Sequence, residues 1–189
     1  MGKSPLTEKQ VKSLRKLVSE KPLHELLLNI GIDLMLRGSD LLNLKVGDVM
    51  NESGTVKKEV QIKQKKTKKS TLRLPLSDHS IKSIKKHLTD KPLDEFIFKG
   101  QKSYTGKPIS VIQYSRIVKQ WMEMLGVEDT SAFSSHSIRK TKPTVIFNQT
   151  KNIDVCRRLL GHSSVTATQH YIGTTDNSAL DVARNIKIW

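Results

Sequence analysis

Four short segments of the sequence contain side chains suited to chemistry on a phosphate group. Arginines occur in LRGSDLLNL at 36–44 and in SHSIRKT at 135–141, and a lysine run, KKTKK, lies at 65–69. The fourth segment, LLGH at 159–162, is followed nine residues after its histidine by Tyr171. A guanidinium is always charged and offers a planar fork to phosphate oxygens. A tyrosine hydroxyl becomes a nucleophile when a neighbouring group helps it to lose its proton.

Each of these residues also has an ordinary structural interpretation. Arg37 beside Asp40 could form a surface ion pair of little energetic value, and the lysine run could be a solvated turn. Gly161 after two leucines is typical of a helix C-cap. Tyr171 could be a half-buried anchor with its hydroxyl in water. These interpretations explain each residue separately, but they do not explain the order and spacing of the four segments.

The charge of the chain indicates a partner. Its 189 residues include 33 Lys and Arg against 18 Asp and Glu, which gives a net charge of +15 and a pI near 9.9. This balance is typical of a protein that binds nucleic acid, the alternatives being a ribosomal-type protein or solubility through positive charge. No apolar run is long enough to cross a bilayer, no signal peptide is recognisable, and a single cysteine allows no intrachain disulfide. We therefore expect a cytoplasmic, nucleoid-associated protein.

The apolar periodicity predicts helices at the N-terminal end and a hairpin in the middle. Thr7 begins a capping-box pattern for a helix over 7–20, and Pro22 suits the first turn of a second helix ending near residue 38. Ser39 can cap a short third helix. Period-two alternation then predicts two antiparallel strands with the lysine run at their turn. The alternating residues are Val56, Val60 and Ile62, followed by Leu72 and Leu74.

The C-terminal half returns to helical spacing after a possible short strand at 96–98. Pro143 lies inside one predicted helix and either kinks it, which could aim Arg139, or indicates that the helix begins later. The predicted fold class is α+β and mainly α-helical, in one domain over 1–189, with a small antiparallel sheet inserted after the third helix. The predicted C-terminal helices span about 109–125, 135–149, 151–160, 164–172 and 176–187.

The ordered set of residues resembles the catalytic domain of the tyrosine recombinases, the lambda-integrase-like family of site-specific DNA recombinases. The family pattern runs Arg, Lys on a β-turn, His-x-x-Arg, Gly-His and then Tyr, and the chain matches it over nearly its whole length. The resemblance implies a recombinase or integrase that cuts and rejoins DNA through a covalent 3′-phosphotyrosyl link. It implies no need for ATP, a metal ion or any other cofactor.

The resemblance also implies roles for the site residues. Arg37 and Arg139 would hold the non-bridging oxygens of the scissile phosphate, and Tyr171 would attack its phosphorus. His136 would act as the base or hydrogen-bond partner of the tyrosine. His162 would bond the phosphate or the nucleophile.

The lysine run and Asp40 complete the expected site. Lys66 would protonate the departing 5′-oxygen, although its neighbours in the run compete for that role. Asp40 would brace an active-site arginine or histidine without entering the chemistry. Further DNA contacts are expected from Lys63, Lys65, Lys68 and Lys69. A zinc site built from Cys156, His162 and His170 lacks paired ligand spacing, so no metal is predicted.

Several alternatives stay open from the sequence. Full-length members of the family carry a preceding core-binding domain, so the chain is either a fragment or one of the short members that consist of the catalytic domain alone. The apolar residues between 179 and 186 predict an amphipathic helix. The resemblance implies that this helix packs on a neighbouring protomer in a homo-tetramer on double-stranded DNA, with a monomer possible when free; the alternative is packing within its own chain. Other functions are DNA relaxation of the type IB topoisomerase kind and DNA binding without catalysis.

Overall fold

The computed structural model describes residues 2–100, 105–173, 180 and 183–186. Within these residues the chain is mainly helical, with a two-stranded antiparallel sheet, which confirms the predicted fold class. The helices are α1 (Glu8–Leu17), α2 (Pro22–Leu34), α3 (Gly38–Leu42), α4 (Val46–Val49), α5 (Asp78–Leu88), α6 (Val111–Met124), α7 (Ser135–Thr150), α8 (Ile153–Leu160) and α9 (Val165–Ile172). The strands are β1 (Glu59–Val60) and β2 (Leu74–Pro75).

Helix α2 is the centre of the core. Every residue from Leu26 to Leu34 is buried, and α5 and α7 pack against it. The two polar side chains in this stretch are satisfied internally. Asn29 donates to Ser83 and accepts from Arg15, and Asp33 accepts from Ser77, Ser80 and Lys142. Burying them without partners would cost roughly 1–3 kcal/mol each, so these bonds are what allow an apolar helix to contain them.

The end of α2 sets the direction of the first arginine. The helix stops at Met35, which has a left-handed backbone with φ of 50° and donates to the carbonyl of Gly31. The predicted end near residue 38 was therefore too late, and Arg37 is the extended N-cap of α3. Ser39, predicted as the cap, lies inside the first turn of α3. The left-handed residue produces the break, and apolar periodicity carries no signal for it.

The hairpin forms where alternation predicted it. Glu59 pairs with Pro75 and Val60 with Leu74, and an isolated bridge joins Lys63 to Ser70 below the turn. A further one-turn helix, α4, lies between α3 and the hairpin and was not foreseen. The predicted strand at 96–98 is wrong. Its ends pair with different segments, because the Ile97 amide donates to Leu44 and the Phe98 carbonyl accepts from Ile109, so no continuous ladder develops.

Helix α5 was missed altogether by the sequence analysis. Ser77 caps it by accepting from the Ser80 amide, and Ile84 and Leu88 are buried on its inner face. The signal was present, since a serine cap precedes Ile81, Ile84 and Leu88 at spacings of three and four residues.

The later helices begin within about two residues of their predicted positions. Helix α7 starts at Ser135, so the alternative of a later start is excluded and Pro143 lies inside the helix. The helix predicted over 176–187 falls largely outside the described residues. Across the described part of the chain, every helix is too short or too polar to span a membrane.

Candidate active site

Arg37 enters the site from the N-terminus of α3. Its side chain is half-buried, and its Nη1 donates a hydrogen bond of 2.9 Å to the Oε1 atom of Gln64. Gln64 is 5% exposed and its Oε1 also accepts from the Thr67 hydroxyl at 2.9 Å. The arginine is therefore connected directly to the lysine-bearing turn, and its other donors have no hydrogen-bond partner among the described residues.

The lysine turn is a closed loop at the tip of the hairpin. The Gln64 amide donates to the Lys69 carbonyl, and the Lys68 amide donates to the Gln64 carbonyl, both at 2.9 Å. Lys68 has a left-handed backbone with φ of 57°, which lets the chain reverse in this short space. The hairpin lysines predicted to act on DNA are all solvent-exposed: Lys63, Lys65, Lys66, Lys68 and Lys69.

Asp40 anchors this turn to α3. It is 4% exposed, and its Oδ1 accepts a hydrogen bond of 2.9 Å from the Lys65 amide. Its Oδ2 is buried and has no partner among the described residues. Asp40 was expected to brace an arginine or a histidine. Its charge favours the charged form of Arg139, and its hydrogen bond holds the backbone beside Lys66.

Arg139 is the most deeply buried cation of the site. It is 4% exposed, and backbone carbonyls fix two edges of its guanidinium: Nε donates to Met35 at 2.9 Å and Nη2 to Leu160 at 3.1 Å. Burial lowers the pKa of Arg139 and Arg37 lowers it further, while Tyr171 and Asp40 act in the opposite direction. An arginine nevertheless stays charged at neutral pH, so the fold holds a desolvated cation whose Nη1 has no hydrogen-bond partner in the part of the chain that the structure describes.

His162 follows the turn that ends α8. Gly161 has a left-handed backbone with φ of 67°, and the His162 amide closes the helix by donating to the Arg157 carbonyl. The ring Nδ1 lies 3.1 Å from the Thr168 hydroxyl. Burial, followed by the charges of Arg139 and Arg37, lowers the pKa of His162 to about 4. The imidazole is therefore neutral at physiological pH.

Tyr171 lies on α9 against these groups. Its ring meets the His162 ring edge-on at 5.2 Å between centroids, and the Arg139 guanidinium lies 5.4 Å from its centre. The hydroxyl is buried and has no hydrogen-bond partner among the described residues, so the alternative of an anchor with a wet hydroxyl does not fit. Burial raises the pKa of Tyr171 to about 12, while the charges of Arg139 and Arg37 act in the opposite direction.

His136 belongs to the same charged neighbourhood but is more accessible. It lies in the first turn of α7, and its side chain is exposed. Burial of part of the ring lowers its pKa, and the charges of Arg139 and Lys140 lower it further. Arg37 contributes in the same direction. The structure thus brings the two arginines, the two histidines and the tyrosine together, with the lysine turn attached through Gln64 and Asp40.

Three residues at this site were missed by the sequence analysis. Gln64 lies two positions before Lys66, and Thr168 lies three positions before Tyr171, on the same side of α9. Lys140 is 9% exposed, with its Nζ 4.9 Å from the centre of the Tyr171 ring and 2.8 Å from the Lys3 carbonyl. Helical spacing could have predicted that Thr168 lies beside Tyr171. The contact of Gln64 with Arg37 and the contact of Lys140 with the Tyr171 ring depend on how distant segments pack.

The fold is shared with solved recombinases. It superposes on the crystal structure of XerA recombinase with a TM-score of 0.75 at 17% identity, covering 100% of this chain and 68% of that one. For the catalytic domain of bacteriophage HP1 integrase the TM-score is 0.63 at 18% identity, and the match covers 96% of this chain and 94% of that chain. For XerH site-specific recombinase bound to difH substrate in a pre-cleavage complex the TM-score is 0.68 at 19% identity. That match covers 97% of this chain and 54% of that chain. The architecture is therefore that of a tyrosine recombinase catalytic domain.

Sequence similarity identifies the family. Residues 4–178 match the Phage integrase family, and the chain belongs to it. It is 36% identical over 149 residues to the probable integrase/recombinase YoeC of Bacillus subtilis, covering 78% of this chain and 76% of that protein. Against six other curated recombinases and integrases the chain spans between 40% and 61% of their length.

Proposed function

We propose that residues 1–189 form the catalytic domain of a site-specific DNA recombinase or integrase in which Tyr171 is the nucleophile. The observation that carries the proposal is the convergence of Arg37 and Arg139 on a buried tyrosine hydroxyl that has no partner among the described residues. A buried hydroxyl without a hydrogen-bond partner costs free energy in the unliganded protein. Such groups are found at sites where a ligand supplies the missing partner. A phosphodiester between the arginines supplies the missing electrophile.

The arginines bind and neutralise the phosphate. Arg139 is held by the carbonyls of Met35 and Leu160, so its remaining donors are oriented before DNA arrives. Arg37 keeps its position through Gln64. The two guanidiniums stabilise the extra negative charge that develops on the non-bridging oxygens as the tyrosine attacks. Removing one such preorganised donor typically costs about 10²–10³ in rate.

The tyrosine must lose its proton during the attack. With a pKa raised to about 12, the hydroxyl of Tyr171 is protonated at neutral pH, so attack requires a nearby acceptor. His162 and His136 both have lowered pKa values and are neutral, so either can accept a proton. The bond from phosphorus to the 5′-oxygen breaks as the bond to the tyrosine oxygen forms, and the product is a 3′-phosphotyrosyl link.

The leaving 5′-oxygen needs a proton of its own. Lys66 is proposed as the donor, from a turn whose base is tied to α3 by Asp40 and Gln64. Because the covalent link conserves the energy of the phosphodiester, the reverse attack by a 5′-hydroxyl rejoins the strand. The proposed reaction therefore requires neither ATP nor a metal ion.

Double-stranded DNA is the proposed partner, bound by a homo-tetramer in which the C-terminal segment contacts a neighbouring protomer. The net charge of +15 and the exposed hairpin lysines favour contacts with the DNA backbone. Each neutralised phosphate should lower log K by roughly 0.9 per decade of salt concentration. Binding that changes little between low and moderate salt would contradict this mode, and the mass of the DNA complex in solution tests the tetramer.

Trapping on nicked DNA tests the proposed chemistry. In a pool of duplexes with a nick at a fixed place and randomised sequence around it, those members whose cleavage position lies beside the nick lose the short 5′-hydroxyl fragment after attack and so retain the covalent adduct. Wild-type protein should give an adduct that survives denaturant, and Tyr171→Phe should bind DNA without giving one. An adduct formed equally by Tyr171→Phe would refute the assignment. Relaxation of supercoiled DNA without strand exchange would favour the topoisomerase alternative.

A further inference from the structure

We propose that Lys140 is a positioning residue that holds the ring of Tyr171 in place and connects it to the N-terminal segment, residues 3–6. This inference rests on the proposed function, because it concerns how the nucleophile is held. Lys140 follows Arg139 on α7 and is 9% exposed. Its Nζ lies 4.9 Å from the centre of the Tyr171 ring and donates a hydrogen bond of 2.8 Å to the Lys3 carbonyl.

The burial of Lys140 is unusual because no negative charge accompanies it. Lysines are rarely buried unless they are paired, since taking an ammonium out of water costs free energy. Among the described residues, no carboxylate forms an ion pair with Lys140. Burial lowers its pKa. The fold therefore keeps this cation at a cost, and the groups that receive it are a backbone carbonyl and the face of an aromatic ring.

The face of the Tyr171 ring is a suitable partner for this cation. The π electrons of a tyrosine place negative charge on both faces of the ring, and they attract an ammonium within about 6 Å of the ring centre, most strongly when the ammonium is desolvated. The Arg139 guanidinium lies 5.4 Å from the same centre and is itself fixed by two backbone carbonyls. Two successive residues of α7 thus define where the ring can lie.

Helix α9 buries little of its own surface, so the ring depends on these contacts. Of the eight residues of the helix, Thr168 alone is buried, and the side chains of Val165 and His170 are exposed. A helix this short is marginal by itself and is stabilised by its tertiary contacts. Attack on a phosphate held by the arginines requires the Tyr171 hydroxyl to stay beside them. Loosening the ring from Lys140 therefore lowers the fraction of molecules that can react.

The N-terminal segment fixes the ammonium from the other side. The Ser4 amide donates to the Ala132 carbonyl at 2.8 Å, and the Leu6 amide donates to the Thr141 hydroxyl at 3.1 Å. Leu6 is 2% exposed and belongs to the core. These bonds set the position of the Lys3 carbonyl relative to α7. A displacement of the segment is therefore transmitted to the ring of the nucleophile through one lysine side chain.

Photo-CIDNP NMR tests the docking of the ring without DNA. The method enhances the signal of a tyrosine only where a photoexcited dye reaches its hydroxyl, and the Tyr171 signal is the one absent from the spectrum of Tyr171→Phe. The hydroxyl is buried in the wild type, so no enhancement is expected. Lys140→Met, which keeps an unbranched side chain without the charge, should expose the ring and give an enhanced signal. Lys140→Arg, which keeps a cation with donors, should not.

Adduct formation gives the second readout. A cation–π contact corresponds to a factor of about 3–30 in an equilibrium constant, so Lys140→Met should form the adduct about 3–30-fold more slowly. Lys140→Arg should recover most of the rate. Lys140→Gln, which can still donate to the Lys3 carbonyl but has no charge, should be as slow as Lys140→Met. Lys45→Met is the matched control, because it removes an ammonium 5.3 Å from the Phe96 ring and the same unit of net charge, and its rate should equal that of the wild type.

Ser4→Pro tests the connection to the N-terminal segment. Proline has no amide hydrogen, so the bond to the Ala132 carbonyl is lost next to the carbonyl of Lys3. This variant should give an enhanced Tyr171 signal and a slower adduct, in the same direction as Lys140→Met. Ser4→Ala keeps the amide and should behave as the wild type. A Ser4→Pro variant that is indistinguishable from Ser4→Ala would overturn the connection.

A Tyr171 signal that is enhanced in the wild type, or absent in Lys140→Met as well, would overturn the proposed docking. An adduct rate that is the same in Lys140→Met and Lys45→Met would overturn it too. Removing a buried charge without a partner should leave the melting temperature unchanged or higher, so a rate that falls only together with the melting temperature would assign Lys140 a structural role instead. Because the NMR result needs no cleavage, it stands even if the wild type forms no adduct and the proposed function fails.

Discussion

The Nη1 atom of Arg37 donates to the Oε1 atom of Gln64 across 2.9 Å, and so joins an arginine of α3 to the turn that carries Lys66. Gln64 is buried and accepts at the same oxygen from Thr67. Asp40 makes a second connection by accepting from the Lys65 amide. Arg37, proposed to bind the phosphate, and Lys66, proposed to protonate the leaving oxygen, are therefore connected by one small network of hydrogen bonds.

Gln64→Leu should slow adduct formation while leaving most of the DNA affinity intact. The substitution removes the acceptor of Arg37 and the bond to Thr67 but keeps an apolar stem of similar size. We expect a loss on the order of 10-fold, below the cost of removing a catalytic donor itself. Gln61→Leu is the matched control, because Gln61 lies in the same hairpin and donates to the Thr71 carbonyl, away from Arg37. Equal losses in the two variants would contradict a specific role for Gln64.

Gly161→Ala should impair both stability and cleavage. Its φ of 67° is unfavourable for a residue with a Cβ, at roughly 1–2 kcal/mol, and the new Cβ would lie 3.3 Å from the Nε2 of Gln64. Gly126→Ala is the control, since φ there is 77° and nothing lies within 4 Å of its Cβ. Urea unfolding should give similar losses of stability for the two variants. Only Gly161→Ala should also slow adduct formation, and a normal adduct rate for it would argue against the contact with Gln64.

Two tyrosines bury a hydroxyl without a partner among the described residues, and they provide a matched pair. Tyr171→Phe and Tyr114→Phe each remove that hydroxyl, so neither should destabilise the fold, and each should be neutral or more stable by up to about 1 kcal/mol. Burial also raises the pKa of Tyr114. The variants should differ only in chemistry, with the adduct lost in Tyr171→Phe and retained in Tyr114→Phe. Calorimetry and the adduct assay test the two halves of this prediction separately.

Lys66→Ala should be rescued by a better leaving group. Its wild-type role is to protonate an alkoxide, and a thiolate departs without a proton because a thiol is much more acidic than an alcohol. On ordinary nicked DNA the variant should lose about 10²–10⁴ in adduct rate, the range expected for a general acid. On DNA with sulfur at the bridging 5′ position the loss should largely disappear. Lys65→Ala and Lys68→Ala, the competing lysines of the same turn, should show little change on either substrate, and rescue of one of them instead would reassign the acid.

The sequence indicates which residues form the candidate site better than it indicates the contacts that hold those residues in place. Arg139, His162 and Tyr171 could be named as candidates because their order and spacing resemble the family pattern. The break at Met35 and the contact of Lys140 with the Tyr171 ring could not, since each depends on the packing of distant segments. Asp40 could be identified as a supporting residue, but its partner, a backbone amide of the hairpin, is a property of the register between α3 and the turn.

The stability of the protein should depend on pH through His162. Burial lowers the pKa of His162 from 6.5 to about 4 in the folded chain, and the neighbouring arginines contribute. Between these two values the unfolded chain binds a proton that the folded chain does not, so the free energy of unfolding falls as the pH decreases from about 6.5 to about 4 and changes little from this source below that range. His162→Gln removes the titrating group. Urea unfolding at pH 7 and pH 5 should therefore give a smaller loss of stability in His162→Gln than in the wild type, whereas equal losses would mean that the folded protein accommodates a charged ring between its arginines.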